Sequence, residues 1–299
     1  MTSGWSIYVI VLVVANIVGA AWLLFWVRST SGGASGKPQS LGHDFDGIQE
    51  LNSPLPLWWV YLFLGTIAFA VGYLIFYPGL GSFAGVLGWS SVKEHDQDVA
   101  EAQAHYGPIF AAYAAKPISE LTKDDAALHI GQRLFANNCA PCHGSDARGG
   151  LGFPDLTDND WKWGGEPETV EKTILDGRKA MMPAFAPALG GPQGVESVIA
   201  YVMTLSGRKA DAQLAEAGKP KFMQICAACH GPEGKGNPVV GAPNLTDNIW
   251  LYGGSHDAIA EGLAKGRFGQ MPAHRDVLGA EKVHLVASYV YSLSHGSSN

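Results

Sequence analysis

The chain is 299 residues long, 47% hydrophobic and only 16% charged, with a formal net charge of -7 and a pI near 5.8. Soluble domains carry about 25% charged residues, so the composition points to membrane segments, and the acidic balance gives no hint of nucleic-acid binding, which usually demands a basic patch. All four cysteines lie in two CxxCH motifs, which leaves none for a structural disulfide or a free reactive thiol.

Trp5 to Val27 is a run of 23 residues without Asp, Glu, Lys, Arg or His. At about 1.5 Å per helical residue it spans the roughly 30 Å hydrocarbon core, so residues 1–27 are expected to hold a first transmembrane helix. A cleavable signal peptide is disfavoured by the lack of a basic leader. Asn16, mid-helix, is expected to meet a neighbouring helix, because an unpaired amide in lipid is costly. Residues 28–56 read as a polar loop that starts with a flexible run, Ser29 to Gly36. A second ion-free run of 21 residues, Leu57 to Tyr77, reads as the second transmembrane helix, with Trp58, Trp59 and Tyr61 at one interface and Tyr73 and Tyr77 at the other. Gly65, Ala68 and Gly72 line one side of it and would admit another backbone, from the first helix or from another subunit.

Two helices make a hairpin with both termini on one side. Arg28 and Lys37 lie in its loop, and no Lys or Arg follows the second helix until Lys93, so the positive-inside rule puts the loop in the cytoplasm and the termini in the periplasm. Residues 78–120 form a connector. It is Gly-rich to Ser90, and Ser91-Val-Lys-Glu94 is a capping-box pattern for a helix that Pro108 should interrupt. His95 and His105 fall on its solvated face.

The rest of the chain is a duplication. Gly131-Gln-Arg-Leu-Phe135 leads into Cys139-Ala-Pro-Cys142-His143, and Gly218-Lys-Pro-Lys-Phe222 leads into Cys226-Ala-Ala-Cys229-His230. Pro154-Asp-Leu156-Thr157-Asp158, Trp161, Trp163, Arg178 and Met182-Pro183-Ala184 recur 89 residues later as Pro243-Asn-Leu245-Thr246-Asp247, Trp250, Tyr252, Arg267 and Met271-Pro272-Ala273, whereas the cysteines are offset by 87. The second loop is therefore two residues longer. Apolar residues at helical spacing close each repeat, over Val195–Leu205 and Glu281–Leu293. Phe135 is expected to meet Tyr201, and Phe222 to meet Tyr289, within separate units at 121–207 and 208–299 that divide near Gly207 at a short polar join, Ala210 to Ala217. The fold expected is mainly α: a two-helix transmembrane hairpin followed by two tandem class I cytochrome c domains.

CxxCH is the attachment signature of c-type haem, with two thiols for thioethers and a histidine for iron. Two covalently bound haem c groups are expected, at Cys139 and Cys142 and at Cys226 and Cys229. His143 and His230 are the proximal ligands. Met182 and Met271, 39 and 41 residues after their histidines, are the sixth ligands, since a thioether opposite histidine suits an electron carrier. Met181 does not align with Met271. A zinc reading of the cysteine pairs does not account for the following histidine or the matched Met-Pro. The carbonyls of Pro154 and Pro243 are candidate acceptors for the haem histidines. Arg178 and Arg267, or Trp161, Trp163 and Trp250, are candidate partners of the haem propionates. With both irons six-coordinate there is no position for peroxide, oxygen or nitrite, and the membrane helices hold no histidine for a further haem or copper. The chain is expected to carry electrons, with no catalytic residue of its own.

Beyond the haem motifs, His43-Asp-Phe-Asp46-Gly47-Ile48-Gln-Glu50-Leu-Asn52-Ser-Pro54-Leu-Pro56-Leu-Trp58-Trp59, Tyr77-Pro78-Gly79-Leu80-Gly81, Gly85-Val-Leu-Gly88-Trp89 and Tyr106-Gly107-Pro108-Ile109-Phe110 resemble the dihaem subunit of cbb3-type cytochrome c oxidases. The likeness covers nearly the whole chain. It implies a bacterial inner-membrane subunit that accepts electrons from a donor cytochrome c and relays them to the monohaem subunit and the haem-copper catalytic subunit, where oxygen is reduced and protons are pumped. A membrane-anchored dihaem carrier for a periplasmic dehydrogenase or a cytochrome bc complex shares the haem chemistry but does not predict the loop signature.

Overall fold

The computed structural model describes residues 2–30 and 39–295. The chain divides into two compact units, residues 1–104 and 105–299. Most of the expected Ser/Gly run, and Lys37, lie outside the described residues.

In the first unit, α1 (Ser3–Thr30) and α2 (Leu57–Phe76) are both long and apolar enough to cross a membrane. They form the expected hairpin. Asn52 Nδ2 donates to Thr30 O at 3.4 Å at the loop end, and Ser82 N donates to Ser6 Oγ at 2.9 Å where the chain returns to the start of α1. Most of the apolar side chains on both helices are exposed, as a lipid-facing surface would be. The Asn16 amide donates one N–H to Leu12 O of its own helix at 2.7 Å, so part of its hydrogen bonding is met without a neighbour. A Cβ at Gly65 or Gly72 would meet nothing within 4 Å, so α1 does not pack on the small-residue face. The segment read as loop also contains a hairpin, β1 (Gln39–Phe45) against β2 (Ile48–Asn52). Asp46 and Gly47 both have positive φ (51° and 85°), the requirement of a tight two-residue turn.

A long helix, α3 (Ser91–Ala114), continues through Pro108 instead of stopping there. The residue before the proline is the buried Gly107, which has no Cβ to clash with the ring. His95 and His105 are exposed as expected. The second unit then contains α4 (Ile118–Leu121), α5 (Asp125–Asn138), α6 (Ala140–His143), α7 (Pro167–Asp176), β3 (Arg178–Met182) and α8 (Pro192–Leu205). The second repeat supplies α9 (Ala212–Lys221), a π-helical turn (Phe222–Cys226), α10 (Ala227–His230), α11 (His256–Lys265), β4 (Arg267–Met271), α12 (Arg275–Leu278) and α13 (Ala280–His295). The stretch expected as a polar join is largely α9, capped by Asp211.

The helix pairing is not the expected one. Phe135 lies 5.5 Å from Tyr289, and Phe222 lies 5.2 Å from Tyr201, so each opening helix meets the closing helix of the other repeat. The first core joins Phe135 and Cys139 to Val170 and Ile174 of α7 and to Val283, Val286 and Val290 of α13. The second joins Phe222 to Val198, Ile199 and Val202 of α8 and to Leu263 of α11. Two glycines permit the close crossings: a Cβ at Gly131 would collide with Leu285 O of α13, and one at Gly218 with Ser197 O of α8. Consequently the segment 178–266 is continuous around the second motif, and the first core is completed by residues on either side of it. The division near Gly207 expected from the repeats is not where the packing divides. The two parts are joined by an antiparallel ribbon of β3 and β4, with Arg178 opposite Met271 and Met182 opposite Arg267.

Candidate functional site

At the first motif, Asp124 caps α5 by accepting from Ala126 N and Ala127 N, both at 3.1 Å. The helix ends at the buried Cys139, and the short α6 presents Cys142 at the surface before Gly144 (φ 77°) turns the chain. His143 Nδ1 lies 3.2 Å from Pro154 O. A carbonyl only accepts, so Nδ1 carries the proton and Nε2 keeps a lone pair for a metal. Burial holds the imidazole below its ordinary value, against the opposing pull of the Pro154 carbonyl, so the neutral form is favoured. Burial, with a smaller contribution from Cys142, pushes the Cys139 thiol up to about 11.

The second motif repeats this arrangement. Asp211 caps α9 at 2.9 Å from Gln213 N and Leu214 N, and His230 Nδ1 lies 3.0 Å from Pro243 O. Burial lowers His230 and pushes Cys226 up to about 11. The loops beyond the histidines close alike, with Gly149 N donating to His143 O at 2.7 Å and Gly236 N to His230 O at 2.8 Å. Where the first loop pairs Gly150 with Phe153, the second pairs Asn237 with Ala242, which locates the two additional residues.

The ribbon delivers the methionines crosswise. Met271 packs in the first core with Phe135 and Cys139, whereas Met182 packs in the second with Phe222 and Cys226. The spacing in sequence would have paired each methionine with the histidine before it. The exchange is held by backbone contacts, since His274 N donates to Ile174 O at 3.0 Å and Phe185 N to Leu263 O at 2.8 Å. Gly177 and Gly266, at φ 70° and 75°, lie against the carbonyls of Met271 and Met182, where a Cβ would collide. Met181 is 73% exposed, on the opposite face of β3.

Arg178 and Arg267 both have protein partners. Arg178 Nε donates to Thr173 Oγ1 at 2.9 Å and stacks 5.0 Å above Trp163. Arg267 donates to Ala258 O at 2.8 Å, pairs with Glu261 at 3.3 Å and lies 4.9 Å above Tyr252. Trp163 packs on Gly241 of the second repeat's loop and Tyr252 approaches Gly152 of the first.

These residues fit a haem c at each motif. Among the described residues, the buried side-chain nitrogens without a hydrogen-bond partner are Trp161 Nε1, His274 Nδ1 and Arg208 Nη2. Trp161 packs on the first core, His274 follows Met271, and Arg208 stacks on Trp250 of the second core. Buried polar groups are otherwise almost always paired, and haem carboxylates are acceptors of the kind these donors lack. Among the described residues no three His, Cys, Asp or Glu side chains gather as a metal cage. Sequence reasoning missed Arg208 and His274. Arg208 falls just past a closing helix, where composition suggests only a join.

Comparison with known proteins places these observations. A family model described as the N-terminal domain of cytochrome oxidase-cbb3, FixP, matches residues 37–84. One described as cytochrome c oxidase, cbb3-type, subunit III, matches residues 126–202 and 213–290. The chain is 45% identical to the cbb3-type cytochrome c oxidase subunit CcoP of Rubrivivax gelatinosus, over 99% of this chain and 97% of the relative. It is 41% identical to the subunit FixPc of Rhizobium leguminosarum bv. viciae, over 87% of this chain and 96% of that one. Identity to FixP of Bradyrhizobium diazoefficiens is 40%, over 88% and 96%.

Proposed function

The chain belongs to the subunit III family of cbb3-type cytochrome c oxidases, and on that premise we propose that it is the electron-relay subunit of such an oxidase, with two covalent haem c groups whose irons are ligated across the repeats. His143 is matched with Met271, and His230 with Met182. The observation that carries this reading is that each methionine lies in the core of the opposite motif. When bound, the haems supply one-electron exchange at iron. The protein's part is to hold both irons closed: Pro154 and Pro243 orient the imidazoles, burial keeps those imidazoles neutral, and the cores exclude water.

A closed iron offers no place to oxygen, so reduction of oxygen belongs to a haem-copper partner. The monohaem subunit would receive electrons from this chain, and a donor cytochrome c would supply them. The hairpin of α1 and α2, with Arg28 at its loop end, supports a cytoplasmic loop and periplasmic haem domains. Purification from membranes under mild detergent tests the proposal. Recovery with a subunit containing haem b and copper, at two haem c per copy of this chain, is expected. Recovery with a dehydrogenase and no haem-copper subunit would refute it.

A further inference from the structure

We propose that Arg208 binds a propionate of the haem attached at Cys226 and Cys229, and that its charge biases the shared electron toward that second site. This rests on reading the second motif as a covalent haem site. Arg208 belongs to the first repeat by sequence, immediately after α8, yet its side chain is built into the surroundings of the second motif. Its Nε donates to Ser206 Oγ at 2.8 Å and its Nη1 donates to Gly254 O. Its guanidinium lies 4.7 Å above the ring of Trp250, which packs on the core containing Phe222 and Cys226. Gly254 leaves the space for this stack, since a Cβ there would stand 2.9 Å from Trp250 and 3.1 Å from Arg208 Nη1.

These hydrogen bonds go to uncharged groups, and Nη2 is buried with no partner at all. A charged guanidinium nitrogen buried without an acceptor is costly unless an anion and its hydrogen bonds offset the lost water, so Nη2 marks the place of an anion. The planar guanidinium fork matches a carboxylate. Among the described residues, no arginine with a buried, unpaired nitrogen stands at the first motif, where Arg178 stacks on Trp163 but has no such nitrogen. Tyr201 and Leu205 of α8 correspond to Tyr289 and Leu293 of α13, which aligns Arg208 with Gly296, and the unpaired donors beside the first core are the indole of Trp161 and the imidazole of His274, neither of them a fixed charge. A fixed positive charge beside one propionate favours the reduced iron at that site only.

The test is a redox titration of the full-length chain and its Arg208→Gln and Arg208→Lys variants, with each haem identified in companion chains carrying Cys139→Ala and Cys142→Ala or Cys226→Ala and Cys229→Ala. Arg208→Gln should shift the reduction equilibrium of the second-site haem about tenfold toward ferric, roughly 59 mV for one electron, and leave the first within about twofold. Arg208→Lys, which keeps the charge, should recover at least half of that shift. With haem labelled with carbon-13 at its carboxyls, the redox-difference infrared band of one carboxylate should move in both variants. Attached haem with unchanged potential and infrared band overturns the proposal, as does a shift confined to the first-site haem. Loss of covalent haem from Cys226 and Cys229 in the unsubstituted chain would instead refute the underlying site reading.

Discussion

Phe135, in the helix that leads into the first CxxCH motif, packs 5.5 Å from Tyr289 in the closing helix of the second repeat. Its repeat-mate Phe222 faces Tyr201 at 5.2 Å in the same tilted geometry. The repeats are thus equivalent in sequence but complementary in packing, and each completes the other's core.

A double-mutant cycle should detect this pairing. Phe135→Leu and Tyr289→Leu are expected to couple by about 0.5–1.5 kcal/mol, the usual excess of an aromatic pair over its burial. Phe135→Leu and Tyr201→Leu should add to within about 0.5 kcal/mol. Denaturant unfolding of the three singles and two doubles is the measurement, and coupling to Tyr201 would mean that the helices pair within repeats.

The crossed ligation predicts crossed mutational effects. In a chain with Cys226→Ala and Cys229→Ala, where haem attaches only at the first motif, Met271→Ala should abolish the methionine-to-iron charge-transfer band of the ferric protein. Met182→Ala should leave it in place. The reverse pattern would restore the pairing suggested by spacing along the chain.

Since residues 178–266 surround the second motif continuously, that fragment should fold and attach haem by itself. A fragment of residues 121–207, which corresponds to one sequence repeat, should not fold, because α5 loses Val283, Val286 and Val290 of α13. Each lost large aliphatic contact is worth about 1.5–3 kcal/mol of burial, against a total stability of order 5–15 kcal/mol. Circular dichroism and a covalent haem stain distinguish the two fragments.

His256 of α11 lies 2.7 Å from Glu196 of α8 and 3.2 Å from Asp257, and these carboxylates, Glu196 first, hold its imidazole above the ordinary value. A raised folded-state value means that the contribution to stability is full below the unfolded value near 6.5 and is lost as pH rises through the folded one. The partners are 46% and 48% exposed, so solvent screening limits the pair. Glu196→Gln should therefore cost about 0.5 kcal/mol at about pH 5.5 and close to nothing at about pH 8.5, as read by thermal melts across that range. An effect that grew with pH would contradict the assignment.

The ion-free runs, the two CxxCH motifs, the aligned Met-Pro pairs and the loop signature before Trp58 were legible in the sequence because they are local: hydropathy over a helix length, a pentapeptide, a fixed spacing. The acceptors Pro154 and Pro243 were legible for the same reason, lying a short loop from their histidines. The partner of each methionine was not. A duplication makes Tyr201 and Tyr289 chemically interchangeable as neighbours for Phe135, and periodicity cannot choose between two identical faces. The choice fell to the tertiary structure, where β3 pairs with β4 and carries each chain segment past its own core. The same event placed Arg208 beside Trp250, a proximity that no local pattern encodes, because it depends on which helix α8 packs against.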